Sequence, residues 1–154
     1  EGSGAALWNT SLTYTKFQYM AVGLRTAEVY LILAEAEARL GYIKEATEVL
    51  NQLRVKRIKG DEATLAQPST QKEMVQAVIN ERRKELLFGF HRYWDLKRLN
   101  VEADYAKTIT RTFPIVTATT QHTYTLSPDS RLYVIPFPED VRAKNTNITN
   151  NTDK

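Results

Sequence analysis

The chain has 154 residues, 42% of them hydrophobic and 25% charged, with a formal net charge of +3. That is the size of one ordinary domain with apolar side chain enough for a real core, and it excludes wholesale disorder. The lack of cysteine excludes disulfides, thiolate metal sites and a cysteine nucleophile, and no apolar run is long enough for a bilayer-spanning helix. The basic balance invites a nucleic-acid reading. Lys56 and Arg57, however, share helical sequence with Glu45 and Glu48, the pattern of a solvated face, so nucleic acid is not an expected partner. The first residue is not Met and no signal peptide precedes the domain, so the chain is expected to begin after a cut.

Residues 1–24 read as a lead-in of loop and irregular extended chain carrying Trp8, Tyr14, Phe17 and Tyr19. Gly2-Ser3-Gly4 is too weak for a phosphate loop, since no strand precedes it and no lysine closes it. From Arg25 to Leu40 the Ala-, Leu- and Glu-rich run predicts a helix. Gly41 stands where a helix ends in the left-handed conformation. A second helix is expected from Ile43 to about Ile58, with Ala46, Val49, Leu50 and Leu53 on one side. So short a connection makes the two antiparallel. Ala34, Leu40, Gly41, Glu45 and Ala46 stand where a tetratricopeptide repeat has its small, Leu-Gly and Ala positions, so the pair resembles one such repeat.

Residues 59–69 read as a loop, and Thr70 with Glu73 makes a capping box for the helix that follows. That helix is expected to reach about Phe88. Met74, Val75, Val78, Ile79, Leu86 and Leu87 mark its apolar face. Arg82 falls on the same face, between Val78 and Leu86. A guanidinium there must snorkel out or meet a carboxylate, because an unpaired buried charge is very costly. Glu85 and Asp95 are the nearest candidates in sequence. Gly89 lets the chain leave the helix, and a short helix is expected over Tyr93 to Leu99. Glu81, Arg82, Glu85, Arg92 and Asp95 form either a buried polar network fixing a helix-turn-helix or a catalytic or binding constellation. The network is the favoured reading, because structural ion pairs imitate sites.

Beyond Asn100 the sequence becomes rich in Thr, Tyr and Val. Short strands or extended segments are expected at Thr110–Thr117, Thr123–Leu126 and Leu132–Ile135. Pro114, Pro128, Pro136 and Pro138 argue against a large sheet. Pro138-Glu139-Asp140-Val141 is a candidate last helical turn, and the Asn-rich tail is expected to drape over the surface or fray. The fold class is therefore mainly α. It comprises a tetratricopeptide-like antiparallel hairpin, a long helix, a short helix, an irregular extended C-terminal region and few short strands. All of this is read as a single domain, 1–154, with a lead-in at 1–24, a helical core at 25–99 and an irregular segment at 100–154.

Three separated blocks carry a family resemblance. Arg25 to Ala36 reads R-x-x-E-x-x-L-I-x-A-E-A, and Glu81 to Arg98 reads E-R-x-x-E-L followed by R-x-x-D-L-x-R. Ile135-Pro136-x-x-Glu139 and the later Asn145-x-Asn147-Ile148-Thr149-x-Asn151 close the series. In these blocks the chain resembles the SusD/RagB family of surface nutrient-binding lipoproteins. Gly89-Phe90 replaces the more usual acidic-Gly pair, and Thr146 and Asn150 replace Pro and Gln.

The resemblance implies the C-terminal part of a longer, lipid-anchored protein of the outer-membrane surface. Such a protein holds oligosaccharide, or less often peptide, for a TonB-dependent (SusC-like) transporter. Membrane contact is then made only through a lipid anchor that this chain lacks. The family's stacking aromatics lie mostly in other sequence, so weak sugar binding by this chain alone is expected. Trp8, Tyr14 and Tyr19 are the candidate ligand contacts, although aromatics near a helix start more often anchor packing.

No cofactor is expected. His91 and His122 stand far apart in sequence, so a histidine metal site is not expected. No nucleophile elbow, zincin helix or P-loop occurs. Glu81 and Glu85 lie one turn apart among Arg and Lys, surroundings that make poor general acids. A binding protein without catalysis is the leading reading. The alternative is a tetratricopeptide-like module that binds a peptide or partner protein and has no role with sugar.

Overall fold

The structure is a computed structural model that describes residues 25–87, 91–113, 121–145 and 147–150. Helices α1 (Thr26–Leu40), α2 (Ile43–Arg54), α3 (Gln71–Glu85) and α4 (His91–Leu99) are followed by strands β1 (Ile109–Phe113) and β2 (His122–Leu126) and a short α5 (Glu139–Lys144). The fold is mainly α with a small two-stranded sheet, as expected. The chain forms two compact units, one up to Met74 and one from Val75, the division falling inside α3.

In the first unit, α1 and α2 pack along a seam of small residues. Ala27, Ala34, Ala38 and Ala46 are buried with Leu31, Leu50 and Leu53, so the two backbones approach closely. Val49, expected on the buried side of α2, is only half-buried, and Thr47 is buried instead. The Thr47 hydroxyl donates to the Ile43 carbonyl at 2.7 Å and meets Met74 Sδ at 3.2 Å. Satisfying its hydroxyl in this way lets a polar residue take a core position.

The hairpin turn is a Schellman motif. Gly41 has φ +88°, its N–H donates to the Ala38 carbonyl, and the Tyr42 N–H donates to the Glu37 carbonyl. Leu40, by contrast, is 70% exposed, so the Leu-Gly pair contributes its glycine to the turn and not its leucine to the seam.

Helix α2 ends at Arg54, short of the expected Ile58. The chain tightens there, with Lys56 and Arg57 donating to carbonyls three residues back. Asn51 then clamps the following loop, donating to the Leu65 carbonyl (3.0 Å) and accepting from its N–H (2.7 Å). Arg54 donates to the Glu62 carbonyl at 2.7 Å. The loop is thus folded back on α2, with a 3₁₀ turn at Asp61–Ala63.

The capping box forms as read. The Glu73 N–H donates to Thr70 Oγ1 (3.2 Å), and Glu73 Oε2 accepts from the Thr70 and Ser69 N–H groups (3.1 Å each). Gln71 Nε2 also donates to the Arg39 carbonyl near the end of α1.

In the second unit Val75, Val78, Ile79 and Leu86 are buried, as are Leu96, Leu99 and Tyr133. Leu87, expected on this face, is 59% exposed. Helix α3 ends at Glu85, and the next step round the axis carries Leu87 off the apolar stripe. The short helix α4 starts at His91, two residues before the expected Tyr93. The expected break at Gly89 lies outside the described residues.

Strands β1 and β2 pair antiparallel, with Ile109 opposite Leu126 and Phe113 opposite His122. Thr112 and Thr123, directly opposed, bring their hydroxyls to 3.2 Å. The run expected to extend to Thr117 is strand only to Phe113 within the described residues.

Leu132–Ile135 is not a strand. Ser130 Oγ accepts from the Leu132 N–H, and the chain turns through a 3₁₀ element at Arg131–Tyr133. The apolar run buries Tyr133 alone, while Leu132, Val134 and Ile135 stay exposed. Asn150 clamps Phe137 as Asn51 clamps Leu65, accepting from its N–H (2.8 Å) and donating to its carbonyl (3.1 Å). The Asn-rich tail is therefore held against the chain at Asn150.

Candidate functional site

The helix-turn-helix of α3 and α4 brings the motif residues of the second unit together. Arg82 occupies the helix face of Val78 and Leu86, and its side chain is 11% exposed. Its Nε donates to both oxygens of Asp95, each at 3.0 Å. Arg98, one turn along α4, donates from Nε to Asp95 Oδ1, also at 3.0 Å. One buried carboxylate thus faces two guanidinium groups, an arrangement of charge-assisted hydrogen bonds that fixes the angle between the helices. Glu81 is buried as well, and Lys84 Nζ lies 3.3 Å from its Oε2. Glu85 is half-buried at the end of α3.

Aromatic residues continue the network. The Tyr93 hydroxyl donates to the Tyr133 carbonyl, tying α4 to the 3₁₀ turn. Tyr93 meets the Trp94 ring edge-on at 5.0 Å and lies 6.0 Å from the Tyr133 ring. Trp94 itself is 55% exposed.

Arg92 does not join the Asp95 ion pair. It faces a cleft of about 300 Å³ lined by Arg83, Arg92, Leu96, Lys107, Thr108, Ile109, Thr110 and Arg111. Burial and the neighbouring Arg83 pull its guanidinium below the ordinary arginine value, while Asp95 and Tyr133 pull it back up. Sequence reading missed Arg83, Lys107 and Arg111. Lys107 and Arg111 lie beyond the motif, Arg111 in a run expected to be extended, and their spacing from Arg83 carries no periodic signal. Only the fold of the second unit brings them to one cleft.

Chemically, the arrangement suits holding more than reacting. Both Asp95 oxygens already accept from guanidinium groups, and Glu81 is partnered by Lys84. Among the described residues no group of three His, Asp or Glu side chains is placed to hold a metal ion. No helix among them is long and apolar enough to cross a membrane. The candidate ligand contacts Trp8, Tyr14 and Tyr19 lie outside the described residues.

Comparison with known proteins places these features in context. Residues 9–153 match the profile of the SusD family. A SusD-like protein of Formosa agariphila is 36% identical over 81 residues, which cover 49% of this chain and 16% of that relative's length.

Proposed function

The chain belongs to the SusD family, and from that premise we propose that it serves the non-enzymatic capture of oligosaccharide, or another nutrient, at the cell surface. The captured ligand passes to a TonB-dependent (SusC-like) outer-membrane transporter, and a lipid anchor holds the protein at that membrane. The observation that carries this reading is the extent of the family match, from residue 9 to residue 153. That span includes the whole Arg82–Asp95–Arg98 network.

Within this reading the network is scaffold. Its carboxylate is engaged by two arginines, and a buried ion pair of this kind fixes geometry. Sugar contact falls to aromatic rings that stack on pyranose faces, with Trp8, Tyr14 and Tyr19 as the sequence candidates. The test is calorimetric titration with a panel of neutral and acidic oligosaccharides, followed by analysis of the recovered sugar. Weak, saturable binding with intact sugar supports the reading, and shortened products oppose it.

A specific observation favours a second reading. The outward side of α1 carries Val29, Ile32 and Leu33 about half exposed, an apolar surface of the kind a tetratricopeptide-like hairpin offers to a partner protein or peptide. Binding of peptides with no binding of any saccharide in the same titrations selects this alternative.

A further inference from the structure

We propose that the cleft between the end of α3, α4 and the start of β1 binds an acidic monosaccharide unit, one that carries a carboxylate or a sulfate ester. The proposal rests on the glycan-binding reading for its saccharide, and on the cleft's own chemistry for the acid.

Four cationic side chains, Arg83, Arg92, Lys107 and Arg111, line one concavity, with no acidic residue in the lining among the described residues. Arg83, Arg92 and Lys107 have no side-chain hydrogen bond or ion pair among the described residues. Arg111 gives one N–H to the Thr110 carbonyl and meets no carboxylate among the described residues. The contrast with Arg82 and Arg98, a few residues away, is direct. Those two share Asp95, whereas the cleft's cations face space. Like charges gathered at a partly buried position repel one another, and Arg92 registers both the burial and the charge of Arg83. An oxyanion seated there relieves that repulsion and accepts paired N–H bonds from guanidinium forks.

The rest of the lining suits a sugar ring. Thr108 and Thr110 bring polar groups to the lining, and Leu96 and Ile109 bring apolar ones. Binding sites combine apolar lining with a few directed polar groups in this way. A volume of about 300 Å³ admits one pyranose unit with its acid group, at the small end of known ligand sites.

The test uses the whole chain with D-glucuronate, D-glucose 6-sulfate, D-glucose and inorganic sulfate as probes, followed by NMR of the arginine Nε–H groups and by calorimetry. The expected result is that glucuronate or glucose 6-sulfate shifts the Arg92 signal saturably while glucose does not, with affinity falling as salt rises. The glucuronate and sulfate-ester arms show which acid is preferred. Arg83→Gln with Arg92→Gln is expected to weaken that binding at least tenfold while the circular-dichroism melt stays cooperative. Lys107→Gln, on an exposed residue outside the motif, is expected to weaken it less and provides a second variant should the double substitution unfold the chain. Glucose binding as well as glucuronate, or acid binding unchanged in folded variants, overturns the proposal. Inorganic sulfate binding as tightly as glucose 6-sulfate also overturns it, because the cleft would then select an anion and no sugar. Failure of the broader reading looks different: no oligosaccharide of any kind is bound, while glucuronate still titrates the cleft.

Discussion

Arg82 is the residue whose position in sequence demanded an explanation, and Asp95 supplies it. A guanidinium on an apolar helix face is tolerable only when paired, and here Nε meets both carboxylate oxygens at 3.0 Å. Substituting Arg82→Met leaves Asp95 buried with Arg98 alone. The expected loss is about 3 kcal/mol of stability, at the lower end for breaking a buried pair because Arg98 remains. Urea denaturation measures it, and an unchanged midpoint would remove the pair from the account. The double variant Arg82→Met with Asp95→Leu is expected to recover most of the loss, since apolar replacement of a whole buried pair is often nearly neutral. The arginine's need for a partner was legible in the sequence, and so was the short choice of carboxylates. The second guanidinium, Arg98, was not, because sequence spacing alone does not say which side of α4 faces α3.

A second residue-scale prediction concerns pH. The Ser127 hydroxyl, and then the backbone N–H of Asp129 itself, hold the Asp129 carboxyl below the usual carboxylate range, within the turn that joins β2 to the 3₁₀ element. A carboxyl lowered by folding stabilises the fold above its unfolded value, and that contribution is lost as pH falls through the folded value. An NMR titration of Asp129 is therefore expected to give a midpoint below that of a free aspartate, and Ser127→Ala to raise it. A midpoint unmoved by Ser127→Ala removes the hydroxyl as the cause.

Among the elements, the α1–α2 hairpin is the best specified by sequence. Helix-forming composition, a glycine at the turn and alanines at the seam all point the same way, and consistency of that kind is what makes a structure legible. Ala46 is fully buried in the hairpin of α1 and α2. Ala46→Leu should overpack the seam and cost about 1–3 kcal/mol, visible as a lowered melting temperature. The capping box is a smaller term: Thr70→Ala should cost about 1 kcal/mol, because it orphans an N–H at the start of α3. Either variant melting like the parent protein would contradict the element it tests.

The C-terminal segment was less legible, for a physical reason. Leu132 to Ile135 has strand-like composition, but β propensity reports fit to a pleated surface with neighbours to pair. Ser130 turns the backbone before pairing begins, and Pro136 and Pro138 follow directly. The two asparagine clamps, Asn51 on Leu65 and Asn150 on Phe137, were likewise hidden. Each joins residues more than a dozen positions apart, with no periodic signal.

At the scale of the whole molecule, the first two family blocks fall on the parts of the fold that hold it together, while Ile135 of the third stays exposed. Leu31, Ala34 and Glu35 of the first block are buried in the hairpin, and Glu81, Leu86, Asp95 and Leu96 of the second are buried around the ion pair. The motif therefore reads as architecture. What the blocks did not show is the cationic cleft, whose Lys107 and Arg111 lie between the second block and the third. The role proposed for the protein is binding without turnover. It is tested most directly by titrating the protein with an oligosaccharide panel in a calorimeter and recovering the sugar for mass spectrometry. The expected result is weak, saturable heat with every oligosaccharide recovered at its original length. Shortened products that disappear in Glu81→Gln or Glu85→Gln would contradict it.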